Sequence, residues 1–116
     1  MNREWMLITL VKLGFTETDA QVYAFLAAEG PQKAKDLVAV LKLHRQQLYR
    51  SLKKLQNKGI VTASLNYPTC FSAVLFEEVL DILIETKMEQ QQALQESKES
   101  LLSTWESITK KDVRKS

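Results

Sequence analysis

Apolar residues recur at helical spacing from the start of the chain. Trp5, Ile8 and Val11 with their neighbours predict a helix ending near Gly14, a residue suited to the left-handed turn that closes helices. Thr16-Glu17-Thr18-Asp19 then reads as a start signal, because Thr16 or Thr18 can accept from the free N–H groups of a new helix. Ala20, Tyr23, Leu26 and Ala27 give that second helix its apolar stripe, and Gly30-Pro31 stops it. A short third helix over 34–41 carries Leu37, Val38 and Leu41 on one face. After Lys42-Leu43-His44 a fourth runs from Arg45 to about Asn57. Its buried face is Leu48, Leu52 and Leu55, and Lys58-Gly59 ends it.

The period then changes. Ile60-Val61-Thr62-Ala63 and Cys70-Phe71-Ser72-Ala73-Val74 are short β-prone runs on either side of a turn at Asn66-Tyr67-Pro68-Thr69, which predicts a hairpin. From Phe76 to about Thr109 there is neither Gly nor Pro, so one helix of about 50 Å follows at 1.5 Å per residue. A short helix, a tight turn, a second helix and an immediate hairpin make a winged helix-turn-helix. The expected fold is therefore mainly α with a small β-hairpin wing. Residues 1–75 form the winged domain, and 76–116 form a long coiled-coil-like dimerisation helix.

Composition narrows the class. A chain of 116 residues is one domain, or a domain plus one element. Its longest apolar runs fall far short of the roughly 18 residues that span a bilayer. No signal peptide is evident after Met1, and the single Cys70 excludes an internal disulfide. A soluble, cytoplasmic protein with no membrane partner is expected.

The net charge of +2 is uninformative, but its distribution is not. Residues 33–58 carry eight basic side chains against Asp36 alone, a net of +7, whereas residues 1–32 sum to −2 and residues 77–116 to −3. A concentrated basic segment is the footprint of a polyanion-binding face, although many such runs are only solvated helix surface.

The fourth helix gives that face its chemistry. The major groove is about 12 Å wide and admits one helix, so a reading helix must stand proud of its domain. Arg45, Gln46, Gln47, Arg50, Ser51, Lys53 and Lys54 occupy the expected exposed positions. Gln can pair bidentately with adenine and Arg with guanine, each worth roughly 1–3 kcal/mol of discrimination. Arg45, Gln46, Gln47 and Arg50, towards the amino-terminal end, are the expected base readers. Lys35, Lys53 and Lys54 suit phosphate, where they add affinity and salt dependence without specificity. His44, at the turn, reads as a phosphate contact or a solvated turn residue.

Several stretches carry a family resemblance. They are Leu13-Gly14-Phe15-Thr16-Glu17, Val22-Tyr23, Gly30-Pro31, Ala34-Lys35-Asp36-Leu37 and Leu41, then Arg45, Tyr49-Arg50, Leu52, Leu55 and Lys58-Gly59-Ile60-Val61. Val74 and Glu77-Glu78 continue it. Residues 12–80 resemble the amino-terminal domain of TrmB-type transcriptional regulators, winged-helix proteins common in archaea. The segment 48–55 with Lys58-Gly59 is shared with MarR-like regulators as well. The resemblance implies double-stranded DNA as partner, with Arg45, Tyr49 and Arg50 at or beside the DNA. Four departures stand out. Lys42 replaces the usual turn glycine, His44 and Lys33 replace Ser/Thr caps, and the wing from Thr62 to Val74 has no Lys or Arg. The larger effector-binding domain of those regulators has no counterpart in this sequence, so sugar sensing is not implied.

Stepping four and three from Leu80 gives Ile84, Lys87, Gln91, Leu94, Lys98, Leu101, Trp105 and Ile108. A helix this long is poorly stabilised unless such a stripe is covered. It can fold back on Trp5, Met6 and Leu10, or pair with a second chain; a homodimer is the favoured expectation. Dimerisation would then rest on Trp5, Leu80, Ile84, Leu94, Leu101, Trp105 and Ile108. An aromatic pocket near the tryptophans would admit a small ligand, but no effector is identifiable.

Catalysis finds no support. One His and one Cys in different elements make no zinc site, and neither a phosphate-cradling glycine loop nor a nucleophile elbow occurs. No metal or cofactor is expected, and Cys70 reads as a small wing hydrophobe. Two function classes remain: a sequence-specific DNA-binding regulator, and a winged helix serving as a protein-interaction module in a transcription or replication assembly. The basic segment favours the first, and the uncharged wing and missing caps favour the second.

Overall fold

A computed structural model describes residues 3–109; residues 110–116 of the expected long-helix domain lie outside the described residues. The chain forms α1 (Arg3–Lys12), α2 (Glu17–Glu29), β1 (Gln32–Lys33), α3 (Ala34–Leu41), α4 (Arg45–Asn57), β2 (Val61–Ala63), β3 (Cys70–Ala73) and α5 (Phe76–Thr109). It divides into two compact units, Met1–Ile82 and Leu83–Ser116, with the division falling inside α5. The fold is a mainly helical winged helix-turn-helix followed by a long carboxy-terminal helix.

Local sequence explains most element ends. Gly14 takes φ +111° while Phe15 N–H donates to Leu10 O and Gly14 N–H to Val11 O, the paired bonds that close a helix through a left-handed residue. Gly59, at φ +80°, closes α4 in the same way, with Ile60 N–H donating to Leu55 O. Thr16, not Thr18, is the cap of α2, its side chain accepting from Asp19 N–H at 3.1 Å. Lys33 and His44 precede α3 and α4 with no side-chain capping bond.

Helix α2 is the centre of the first unit. Ala20, Val22, Tyr23, Ala24, Phe25 and Leu26 are all buried, so most of its circumference is covered. Ala27, expected in its apolar stripe, is exposed instead. Leu37 of α3, Leu48, Leu52 and Leu55 of α4, and Ile60, Val61 and Phe71 of the wing complete the core. The Tyr23 hydroxyl donates to Val74 O at 2.6 Å, joining α2 to the chain just after β3.

The expected hairpin is present, and a third strand joins it. The antiparallel order is β1-β3-β2, with Gln32 opposite Phe71 and Val61 opposite Ala73. Two residues cannot display a strand period, which is why Gln32-Lys33 escapes a reading of the pattern. A largely apolar cavity of about 570 Å³ opens in the same unit between α1, α2, the end of β3 and the start of α5. Trp5, Tyr23, Leu26, Val74 and Phe76 are among its lining residues.

In the second unit α5 continues as an uninterrupted helix to Thr109. Ile84, Leu94, Leu101, Trp105 and Ile108 are exposed along it. Among the described residues no helix is long and apolar enough to cross a membrane.

Candidate nucleic-acid interface

The site is one face of α4. Leu48, Leu52 and Leu55 are buried, which turns the helix and presents the opposite side outward. Arg45, Gln46, Tyr49, Arg50 and Lys53 are exposed there, at spacings of one, three and four that keep them contiguous. Two of these five are Arg and one is Gln, the side chains that reach base edges with paired hydrogen bonds. His44 is exposed just ahead of the helix, its carbonyl accepting from Leu48 N–H at 2.9 Å. Lys35 is exposed on α3.

Three expected members of this face have other occupations. Ser51 is buried, not exposed: its relative accessibility is 4%, and its hydroxyl donates to Asp19 Oδ1 at 2.7 Å. Lys54 is half-buried, and its ammonium lies 2.7 Å from Asp19 Oδ2. Gln47 is also half-buried, and its Nε2 donates to Thr18 Oγ1 at 3.1 Å. All three lie on the edge of α4 that meets α2. A polar residue beside an apolar stripe is engaged when side chains of the neighbouring helix reach it, here Thr18 and Asp19, and periodicity within α4 does not reveal them.

Asp19, which holds Ser51 and Lys54, is not anticipated by the periodicity of α4. It was legible only as part of a capping run, yet it shares the spacing of Val22, Tyr23 and Leu26, all buried on α2. An acid in register with a buried stripe signals an internal partner.

The wing adds no positive charge. Its tip, residues 64–69, is exposed throughout, with Leu65 and Tyr67 almost fully so. Ser64 pins it: its N–H donates to Cys70 O, and its Oγ accepts from Cys70 N–H, both at 2.9 Å. No group of three His, Cys, Asp or Glu side chains gathers as a metal site among the described residues.

Helices α3 and α4 joined by a tight turn and followed by the small antiparallel sheet define a winged helix-turn-helix. The chain belongs to the TrmB family: the profile of the sugar-specific transcriptional regulator TrmB matches residues 10–77, more than half its length. A comparison with curated protein sequences gave no match. Among solved structures, the archaeal chromatin protein TrmBL2, described as showing a novel mode of DNA binding, superposes with a TM-score of 0.76 at 20% identity. The match covers 94% of this chain and 42% of that one, so the present chain spans about two-fifths of TrmBL2. A possible transcriptional regulator from Methanosarcina mazei Go1 gives 0.58 at 24% identity, covering 85% and 86% of the two chains. A protein from the thermoacidophilic archaeon Sulfolobus tokodaii gives 0.61 at 23%, covering 80% and 98%. At these identities the likeness is one of fold.

Proposed function

We propose that this chain is a cytoplasmic, sequence-specific double-stranded DNA-binding regulator of transcription, acting as a homodimer with α4 in the major groove. The observation that carries the reading is the exposed face of α4, with Arg45, Gln46 and Arg50 projecting from a helix whose opposite side is locked by three buried leucines. Membership of a family of transcription regulators supports it, as does a structural neighbour described as binding DNA. In this reading Arg45, Gln46 and Arg50 read bases and Tyr49 packs beside them. Lys35, His44 and Lys53 touch phosphate.

Titration of mixed-sequence duplex DNA at two salt concentrations, on protein of known mass in solution, tests this directly. Binding by a dimer that falls steeply with salt is expected, because phosphate contacts release condensed counterions. Arg50→Ala should reduce preference for a selected duplex, at roughly 1–3 kcal/mol per lost base pairing. Absence of binding at low salt would sink the proposal. It would favour the second reading, a protein-interaction module, for which the uncharged wing with its outward Leu65 and Tyr67 is the supporting observation.

A further inference from the structure

Asp19 sits beneath α4, and its two oxygens are divided between two residues of that helix. Oδ1 accepts from Ser51 Oγ at 2.7 Å, and Oδ2 lies 2.7 Å from Lys54 Nζ. The Asp19 residue is 4% accessible and Ser51 likewise. One turn nearer the start of α4, Gln47 Nε2 donates to Thr18 Oγ1. Gln47, Ser51 and Lys54 follow one another at four and three residues, so a single edge of α4 is tied to the first turn of α2. Taking a carboxylate out of water is costly, and an apolar residue would pack the same gap with less penalty. What the carboxylate adds is direction. The leucine face of α4 can tolerate small rotations, whereas two hydrogen-bonded partners three residues apart define one rotation and one depth.

We propose that Asp19 is a positioning and specificity-determining residue, which fixes the rotation of α4 through Ser51 and Lys54 and withholds the Lys54 charge from the DNA backbone. The proposal rests on α4 being the DNA-reading helix. It divides the basic segment into charge that meets phosphate, represented by Lys53, and charge neutralised internally, represented by Lys54. Selectivity is thereby raised twice: the base-reading residues are held in register, and one source of sequence-independent affinity is removed.

The test uses the full chain and two probes, a duplex that the chain itself selects from a randomised pool and a mixed-sequence duplex. Lys53→Met should lower the slope of log affinity against log salt on mixed DNA by about one per bound protomer. Lys54→Met should leave that slope unchanged. Asp19→Asn keeps the shape and an acceptor for Ser51 but drops the charge. It should tighten mixed-sequence binding, steepen its salt slope by about one per protomer as Lys54 is released, and cut the selected-to-mixed ratio at least tenfold. Asp19→Asn combined with Lys54→Met should lose the added slope and keep the lost ratio, a pattern that simple loss of stability does not produce. If Asp19→Asn does not fold, the Lys53 and Lys54 comparison carries the test alone. A Lys54→Met slope falling as that of Lys53→Met does, or an unchanged ratio for a folded Asp19→Asn, overturns the proposal. Loss of selectivity in Arg50→Ala but not in Asp19→Asn overturns it while leaving the reading helix intact. An Arg50→Ala ratio equal to that of the unsubstituted chain, or no duplex selected at all, overturns the reading helix and this proposal together.

Discussion

Tyr23 illustrates how much one side chain contributes to this small unit. It is buried in α2, its hydroxyl donates to Val74 O at 2.6 Å, and burial raises its pKa from the ordinary 10.0 to about 12. The fold favours the neutral phenol. The sign follows from proton counting: above about pH 10 the unfolded chain gives up a proton that the folded chain retains, so stability falls as pH rises. The stabilisation is fully present below 10 and disappears between 10 and 12, an effect on the order of 2–3 kcal/mol. Tyr23→Phe should cost about 1 kcal/mol at neutral pH, through the hydrogen bond lost to Val74. It should also unfold with a shallower pH dependence in the alkaline range. Urea unfolding at pH 8 and pH 11 measures both, and the gap between the two proteins should narrow at the higher pH. A gap that stays constant would mean the phenol ionises as readily folded as unfolded.

Among the elements, the turn between α3 and α4 leads into the helix proposed to read DNA, and it is made at a local cost. Lys42 takes φ 56° and ψ 46°, the left-handed region, where a side chain costs about 1–2 kcal/mol relative to glycine. Lys42→Gly should relieve that, less the roughly 0.4–1 kcal/mol of extra freedom that glycine gives the unfolded chain. A net gain of about 0.5–1 kcal/mol is expected in chemical unfolding, and a net loss would refute the turn geometry. Lys42 was visible in the sequence as a departure from the usual glycine, and the helices with their glycine ends were equally visible, because each is determined within a few neighbouring residues. Strand β1 was not, since its pairing partners lie nearly forty positions away and two residues carry no period. The same distinction governs the site. Arg45, Gln46, Arg50 and Lys53 were legible as a basic, polar face. The bonds that engage Gln47, Ser51 and Lys54 depend on Asp19 and Thr18 of another helix, and no pattern within α4 contains that information.

At the scale of the whole molecule the exposed apolar residues of α5 are the basis of the proposed homodimer. Ile84, Leu94, Leu101, Trp105 and Ile108 are exposed on a helix of 34 residues, and helices in proteins gain most of their stability from packing such a stripe. A second copy of the chain would supply an identical stripe, and in the proposed dimer a symmetric pair would present two α4 helices to half-sites about one DNA turn apart. Leu94→Asp combined with Leu101→Asp places charge in the centre of that seam while leaving the residues of the winged unit unaltered. Sedimentation equilibrium should then find a monomer, against the dimer expected for the unsubstituted chain. Affinity for a duplex with two selected half-sites should fall by orders of magnitude, towards that for one half-site, because the second contact is no longer intramolecular. Binding to a duplex with a single half-site should change little, which separates loss of pairing from loss of the winged fold. A double variant that remains dimeric would remove these positions from the interface. An unsubstituted chain that sediments as a monomer while binding salt-sensitively to DNA would leave α4 as the reading helix and end the homodimer proposal.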